Sequence, residues 1–161
     1  MNYAEIKYNC ASNGPGVRTA LYVSGCSLHC KGCFNKELWD FNAGQEYTDE
    51  VQKKILDSLK PDWISGLSIL GGEPMEPKNQ ETISELVGAV RDMFSNKKTI
   101  WLWSGYVKHK IPKTAFTDKI LDNIDILVDG PFVIEKADTK LKFRGSSNQK
   151  IINLSNKEIL K

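Results

Sequence analysis

The chain has 161 residues, a hydrophobic fraction of 40%, a charged fraction of 26% and a formal net charge of +2. These values are typical of a globular protein with its own core, and we predict a single domain spanning residues 1–161. The near-neutral balance does not favour a nucleic-acid partner, and no apolar run predicts a membrane span or secretory signal. Because the cysteines occur without such a signal, we expect a cytoplasmic protein with free thiols.

Strands and helices are predicted to alternate along the chain. Strands are expected where short β-prone or apolar runs lead to a glycine: 18–24, 66–70, 98–104 and 125–129. A short lead-in strand at 6–10 precedes a glycine-rich turn. Helices are expected where apolar residues recur at helical spacing, over 48–60, 79–94 and a short segment capped by Thr117. This order predicts βαβ units and an α/β fold with a mostly parallel sheet.

Three of the four cysteines, Cys26, Cys30 and Cys33, lie in a C-x3-C-x2-C loop directly after the first main strand. Thiolates this close in sequence indicate a metal or iron–sulfur site rather than a disulfide framework. In a [4Fe–4S] cluster, three cysteines leave one iron without a protein ligand, so that iron can bind a small molecule. The alternative is a structural zinc site closed by His29 or Cys10.

Glycine-bearing loops follow all four predicted strands, and one of them is the cysteine loop. In parallel sheets these carboxyl ends share one edge, where ligands usually bind. The segments expected there are Gly25-Cys26, Gly71-Gly72-Glu73-Pro74, Ser104-Gly105 and Asp129-Gly130-Pro131. Glycines let a ligand approach the backbone closely, although each of these glycines could also simply end its strand.

The cysteine loop, followed one βα unit later by Gly71-Gly72-Glu73-Pro74, resembles the radical S-adenosylmethionine superfamily. The resemblance implies a small, incomplete (β/α) barrel in which three cysteines hold a [4Fe–4S] cluster and the open iron binds S-adenosylmethionine. One electron then cleaves the sulfonium to methionine and a 5′-deoxyadenosyl radical. The glycine-rich segment is expected to contact the methionine amino group.

Further segments resemble one subgroup, the activating proteins of anaerobic ribonucleoside-triphosphate reductase, over about residues 13–149. They are Asn13-Gly14-Pro15-Gly16, Cys30-Lys31-Gly32-Cys33-Phe34-Asn35, Trp101-Leu102-Trp103-Ser104-Gly105-Tyr106, Asp129-Gly130-Pro131-Phe132 and Arg144-Gly145-Ser146-Ser147-Asn148-Gln149. This resemblance implies hydrogen abstraction from a glycine of the reductase large subunit, which stores a glycyl radical. Many superfamily members have an aromatic residue where this chain has Gly32, and the aromatic here is Phe34.

From the resemblance we expect Cys26, Cys30 and Cys33 to be the cluster ligands and the reactive centre. The expected cofactor-binding residues are Gly32, Cys33, Phe34, Gly71, Gly72, Glu73, Ser104 and Asp129. For Ser104 and Asp129 a capping or turn role remains an alternative. Arg144 could pair with the cofactor carboxylate, with an acid of the partner, or with neither. Trp101 and Trp103 are expected to face different layers.

The resemblance also implies a flavodoxin-type electron donor, and it leaves a homodimer open. Two other functions are kept as alternatives. One is a different radical S-adenosylmethionine enzyme, either another glycyl-radical activase or a small-molecule enzyme such as a deazapurine synthase. The other is a non-enzymatic iron–sulfur or zinc carrier protein.

Overall fold

The computed structural model describes residues 1–156 and 158–160. Its strands are β1 (Asn2–Cys10), β2 (Val17–Val23), β3 (Gln45–Glu46), β4 (Ile64–Gly71), β5 (Thr99–Ser104), β6 (Ile126–Asp129), β7 (Lys150–Asn153) and β8 (Glu158–Leu160). Its helices are α1 (Asp49–Ser58), α2 (Pro77–Phe94) and α3 (Thr117–Asn123). Over these residues the strands form one eight-stranded sheet, in the order β3-β1-β2-β4-β5-β6-β7-β8. The fold is therefore mixed α/β.

The centre of the sheet is parallel, as predicted, whereas both flanks are antiparallel. Strands β2, β4, β5 and β6 pair in parallel through the βα units. In the described part of the chain, four of the seven pairings are antiparallel, so the prediction of a mostly parallel sheet was wrong at the flanks. The connection from β1 to β2 is too short for a crossover helix, and a short connection joins antiparallel neighbours. Strands β3, β7 and β8 were not predicted.

The starts of two helices show how far local sequence signals reach. Thr48 caps α1 as predicted, since its hydroxyl accepts a hydrogen bond from the Val51 N–H at 3.4 Å. Thr117 is instead the first residue of α3, and its predicted cap role was wrong. Its hydroxyl donates to the Gln80 side chain of α2 at 2.7 Å. The hydroxyl is thus used to join two helices.

The helices pack on one face of the sheet and form the main hydrophobic core with it. The opposite face carries a second, smaller cluster that includes Trp101 and Val128, with Trp103 packed against it. The rings of Trp101 and Trp103 lie 5.6 Å apart. The expectation that they face different layers was wrong, because residues two apart on a strand share a face. Among the described residues, no helix is both long and apolar enough to cross a membrane.

A buried arginine joins the central strands near their amino ends. Arg18 of β2 is fully buried, and burial lowers the pKa of its guanidinium to about 10. The guanidinium donates to the Ser68 hydroxyl of β4 at 2.8 Å and to the hydroxyl and carbonyl of Thr99 of β5 at 2.9 and 2.8 Å. Ser68 in turn donates to the Asn13 carbonyl at 2.6 Å, which fixes the glycine-rich turn across this face of the sheet.

Candidate active site

The loops at the carboxyl ends of the parallel strands surround one cavity of about 420 Å³. This volume lies within the range of small-molecule sites. The cysteine loop contributes Cys26, Cys30 and Cys33, and the loop after β4 contributes its two glycines and Glu73. Ser104 and Gly105 follow β5 on the same wall, and Gly130 follows β6. The structure therefore brings all four predicted loops to a single cavity.

The three cysteines of the loop are free thiols at this cavity. Cys26 is buried, whereas Cys30 and Cys33 are half-buried. Burial raises the pKa of the Cys26 thiol to about 11 and also raises the pKa of Cys30. The raised pKa values keep the Cys26 and Cys30 thiols protonated at neutral pH. Because metal-bound cysteines are thiolates, a metal or cluster held by Cys26 and Cys30 would have to displace these protons.

Backbone contacts and one buried carboxylate fix the cysteine loop. The Gly25 N–H donates to the Leu38 carbonyl at 2.8 Å, and Gly25 has a φ of +92°, which favours glycine. The Glu76 carboxylate accepts hydrogen bonds from the Ser27 N–H at 2.7 Å and from the Ser27 hydroxyl at 2.6 Å. Glu76 was not predicted. Its position three residues after Glu73, in the same glycine-led loop, is the signal that could have identified it.

The glycine-rich loop after β4 packs backbone to backbone on the cysteine loop. The Gly72 N–H donates to the Val23 carbonyl and the Glu73 N–H to the Gly25 carbonyl, both at 2.8 Å. A Cβ on Gly72 would lie 2.7 Å from the Gly25 carbonyl oxygen, and one on Gly71 would lie 2.6 Å from the Val23 backbone. Both positions therefore require glycine. A glycine that only ended a strand would not need such close contact with the neighbouring backbone.

Glu73 is the buried acid that links this loop to the end of β5. Its carboxylate accepts hydrogen bonds from the Met75 N–H at 2.8 Å, the Ser104 hydroxyl at 2.9 Å and the Gly105 N–H at 2.6 Å. Burial raises the pKa of Glu73 to about 7, and these three hydrogen bonds oppose the rise. The side chain is fully buried, and its hydrogen bonds to Ser104 and Gly105 tie this loop to the end of β5.

The remaining predicted cofactor residues divide into two groups. Phe34 borders the cavity with 78% of its surface exposed, and its ring centroid lies 5.2 Å from that of Phe132. Gly32 packs outside the cavity wall, where a Cβ would lie 2.6 Å from Ile134. Asp129 also lies outside it, and its carboxylate accepts a hydrogen bond from the Lys108 N–H at 2.8 Å. Asp129 thus fixes the loop after β5.

His29 and Cys10, the two residues considered as a fourth zinc ligand, make contacts with different parts of the chain. His29 stacks on Trp39 with ring centroids 4.3 Å apart. Cys10 lies at the end of β1, opposite Arg18, and its thiol contacts the Ser12 hydroxyl at 3.1 Å. In residues 1–156 and 158–160, no three His, Cys, Asp or Glu side chains are grouped to hold one metal ion. A [4Fe–4S] cluster differs because its cysteines bind separate irons.

Trp39 carries a buried hydrogen-bond donor beside the cysteine loop. Its ring borders the cavity, and its carbonyl accepts a hydrogen bond from the Cys26 N–H at 3.1 Å. Its indole Nε1–H is buried and has no acceptor among the described residues. Such a donor is uncommon in a folded protein and requires a partner. Three thiols at the cavity match the sulfur donors that hold iron–sulfur groups, and a sulfur atom of such a group would be an acceptor for this indole N–H.

Comparison with known proteins identifies an iron–sulfur domain and a family of reductase-activating proteins. The model of a family described as a 4Fe-4S single cluster domain matches residues 12–152. The chain is 42% identical over 153 residues to the anaerobic ribonucleoside-triphosphate reductase-activating protein of Vibrio cholerae, covering 94% of this chain and 97% of that protein. The protein of the same name from Escherichia coli K12 is 39% identical, with coverage of 96% and 99%. That from Enterobacteria phage T4 is also 39% identical, with coverage of 94% and 93%.

Proposed function

Because this chain belongs to the family of anaerobic ribonucleoside-triphosphate reductase-activating proteins, we propose that it is the enzyme that generates the glycyl radical of such a reductase. The observation that carries the proposal is the packing of the glycine-rich loop on the cysteine loop at one cavity. Cys26, Cys30 and Cys33 would hold a [4Fe–4S] cluster there. The same cavity would bind S-adenosylmethionine.

When bound, the cluster and cofactor supply one-electron cleavage of the sulfonium to methionine and a 5′-deoxyadenosyl radical, which takes a hydrogen atom from the glycine. The protein's task is to position the reacting groups. Gly71 and Gly72 would present their backbone to the cofactor's amino group, and their missing Cβ atoms let that backbone pack on Val23 and Gly25. Glu73 and Ser104 hold that backbone through their mutual hydrogen bond of 2.9 Å. Phe34 would stack against the adenosyl part.

Gly32 and Asp129 would act on the cofactor indirectly, through the loops that they position. Gly32 lets the cysteine loop pass against Ile134, and Asp129 holds the loop after β5 through Lys108. These contacts favour a positioning role for both, which refines the cofactor-binding role that we predicted. The thiol of Cys33 accepts a hydrogen bond from the Asn35 N–H at 3.4 Å. That donor would remain available to a thiolate ligand.

We further propose that the sheet is the incomplete barrel of the radical S-adenosylmethionine superfamily and that residues 1–161 act as one domain. Helices cover one face, and the cavity lies at the carboxyl ends of the parallel strands. An open cavity suits a protein substrate, namely the glycine-bearing loop of the reductase large subunit. A flavodoxin-type donor would supply the electron. A homodimer is compatible with this arrangement, because a second copy need not cover the cavity.

The experiment is anaerobic. The chain is reconstituted with iron and sulfide, reduced with dithionite and incubated with S-adenosylmethionine, and 5′-deoxyadenosine is measured by chromatography. The proposal predicts 5′-deoxyadenosine from the wild-type protein and none from Cys30→Ala, with Cys10→Ala as the matched control that retains activity. A cluster-loaded wild-type protein that forms none would overturn the proposal in favour of a carrier. If 5′-deoxyadenosine forms only when a small-molecule substrate is added, the chain is a different enzyme of the superfamily.

A further inference from the structure

Arg144 is a cation on the wall of the cavity without an acidic partner. Its Nη1 donates to the backbone carbonyl of Gln149 at 2.8 Å. Over the part of the chain that the structure describes, no salt bridge involves Arg144, and no other Lys or Arg lines the cavity. A guanidinium has five N–H donors, so most of the donors of Arg144 are not used by this contact.

The position of Arg144 is fixed by its neighbours. The Gln149 side-chain oxygen accepts hydrogen bonds from the Gly145 N–H at 2.9 Å and the Ser146 N–H at 3.1 Å. The side-chain nitrogen of Gln149 donates to the Gly130 carbonyl at 3.0 Å. One glutamine thus ties the turn that carries Arg144 to the end of β6. A guanidinium held in this way loses little conformational freedom when it binds a ligand.

The acid on the cavity wall is already engaged. Glu73 is the only Asp or Glu that lines the cavity in the described residues, and it is fully buried with three hydrogen bonds. Arg144 therefore remains available for an anion that enters the cavity from outside. Guanidinium groups bind carboxylates with paired, charge-assisted hydrogen bonds.

The turn that carries Arg144 also lies near the cysteine loop. A Cβ on Gly145 would lie 3.1 Å from the ring of Phe132. The Phe132 ring centroid lies 5.2 Å from that of Phe34, which follows Cys33 directly. One aromatic pair thus separates the arginine turn from the predicted cluster ligands. Because the arginine turn and the cysteine loop line the same cavity, one small ligand can contact both.

We propose that Arg144 binds the carboxylate of the methionine part of S-adenosylmethionine and is a specificity-determining residue for that cofactor. This inference rests on the proposed function. The cofactor carries an amino group and a carboxylate at one end, and the glycine-rich loop is assigned to the amino group. The fixed guanidinium of Arg144 supplies the complementary cation for the carboxylate. An acidic side chain of the reductase is the competing occupant, which the experiment distinguishes.

The test measures binding rather than turnover. Anaerobically reconstituted protein is titrated with S-adenosylmethionine and, separately, with its decarboxylated analogue, and dissociation constants are obtained by equilibrium dialysis. The variants are Arg144→Gln and Arg144→Lys, with Lys142→Gln as the matched control, because Lys142 is an exposed cation of the same segment. Circular dichroism and iron content confirm that each variant is folded and loaded.

The proposal predicts that Arg144→Gln binds S-adenosylmethionine about 10- to 100-fold more weakly, as for a lost charged hydrogen bond, and binds the decarboxylated analogue about as well as the wild type does. Arg144→Lys should be intermediate, and Lys142→Gln should be unchanged. Equal losses for both ligands, or no loss for either, would overturn it. In a parallel titration with the reductase large subunit, weaker binding of the reductase together with unchanged cofactor binding would overturn the proposal and assign Arg144 to the partner. If loaded wild-type protein binds no S-adenosylmethionine, the proposed function itself fails.

Discussion

The backbone N–H of Glu73 donates to the carbonyl oxygen of Gly25 at a distance of 2.8 Å, and this hydrogen bond joins the glycine-rich loop to the cysteine loop. The two loops follow neighbouring parallel strands, β2 and β4. Their mutual position therefore depends on backbone contacts that side chains cannot replace.

Gly72→Ala should disrupt this contact, because the new methyl would lie 2.7 Å from the Gly25 carbonyl oxygen and 2.8 Å from that of Leu38. We expect a loss of about 1–3 kcal/mol in the free energy of unfolding, as for other overpacked sites. Urea unfolding of the cluster-free protein measures it. The matched control is Gly88→Ala in α2, where a Cβ meets only the Lys119 side chain, at 3.7 Å. That change should be neutral or stabilising by up to about 1 kcal/mol, because alanine favours helix.

Glu73→Gln should change how stability depends on pH. Burial raises the pKa of Glu73 from 4.5 to about 7 in the folded protein, so the native state binds more protons than the unfolded state between these values. The free energy of unfolding of the cluster-free protein should therefore fall as the pH rises from about 4.5 to about 7. The variant should show a smaller fall, and the exposed Glu81→Gln should match the wild type. Parallel pH profiles for all three proteins would contradict the buried titration.

Arg18→Met should destabilise the sheet by about 2–4 kcal/mol, because the carbonyls of Leu67 and Thr99 would lose buried hydrogen bonds of 2.9 and 2.8 Å. Urea unfolding of the cluster-free protein measures the loss. The exposed Lys7→Met of β1 is the control and should change stability by less than about 0.5 kcal/mol. Equal effects of the two substitutions would show that the buried guanidinium does not stabilise the central strands.

Trp39→Phe should make the reduction potential of the bound cluster more negative. The substitution keeps an aromatic ring on His29 but removes the indole N–H, and hydrogen bonds to cluster sulfur stabilise the reduced state. Trp103→Phe is the matched control, because the N–H of that cavity residue already donates to the Phe143 carbonyl at 2.7 Å. An anaerobic redox titration followed by electron paramagnetic resonance gives both potentials. An unchanged potential for Trp39→Phe would exclude this hydrogen bond.

The sequence predicted the parts of this site that depend on local pattern and strand direction. Cys26 and Gly71 follow parallel strands, so their meeting at one edge could be inferred from the βαβ order alone. The Thr48 cap was also visible, because its partner Val51 is three residues away. Such features need no knowledge of distant contacts.

The features that sequence analysis missed depend on distant contacts or on short strands. The sequence predicts a cap role for Thr117, but its hydroxyl donates to Gln80 of another helix, a contact that local pattern does not reveal. Asp129 ends a strand as predicted, but its hydrogen bond to Lys108 determines where the carboxylate lies. Strands β7 and β8 are short and were not recognised, because pairing in the sheet defines them. Arg18 is fully buried, although arginine side chains usually lie at the surface, so its position could not be inferred from residue type.

This chain generates a glycyl radical that its partner reductase stores. The most direct measurement is electron paramagnetic resonance of the reductase large subunit after anaerobic incubation with the cluster-loaded chain, S-adenosylmethionine and a reductant. We expect a glycine-centred signal whose hyperfine splitting changes when the reductase carries deuterated glycine. The signal should be absent with Cys26→Ala. Formation of 5′-deoxyadenosine without any glycine-centred signal in the reductase would contradict the claim.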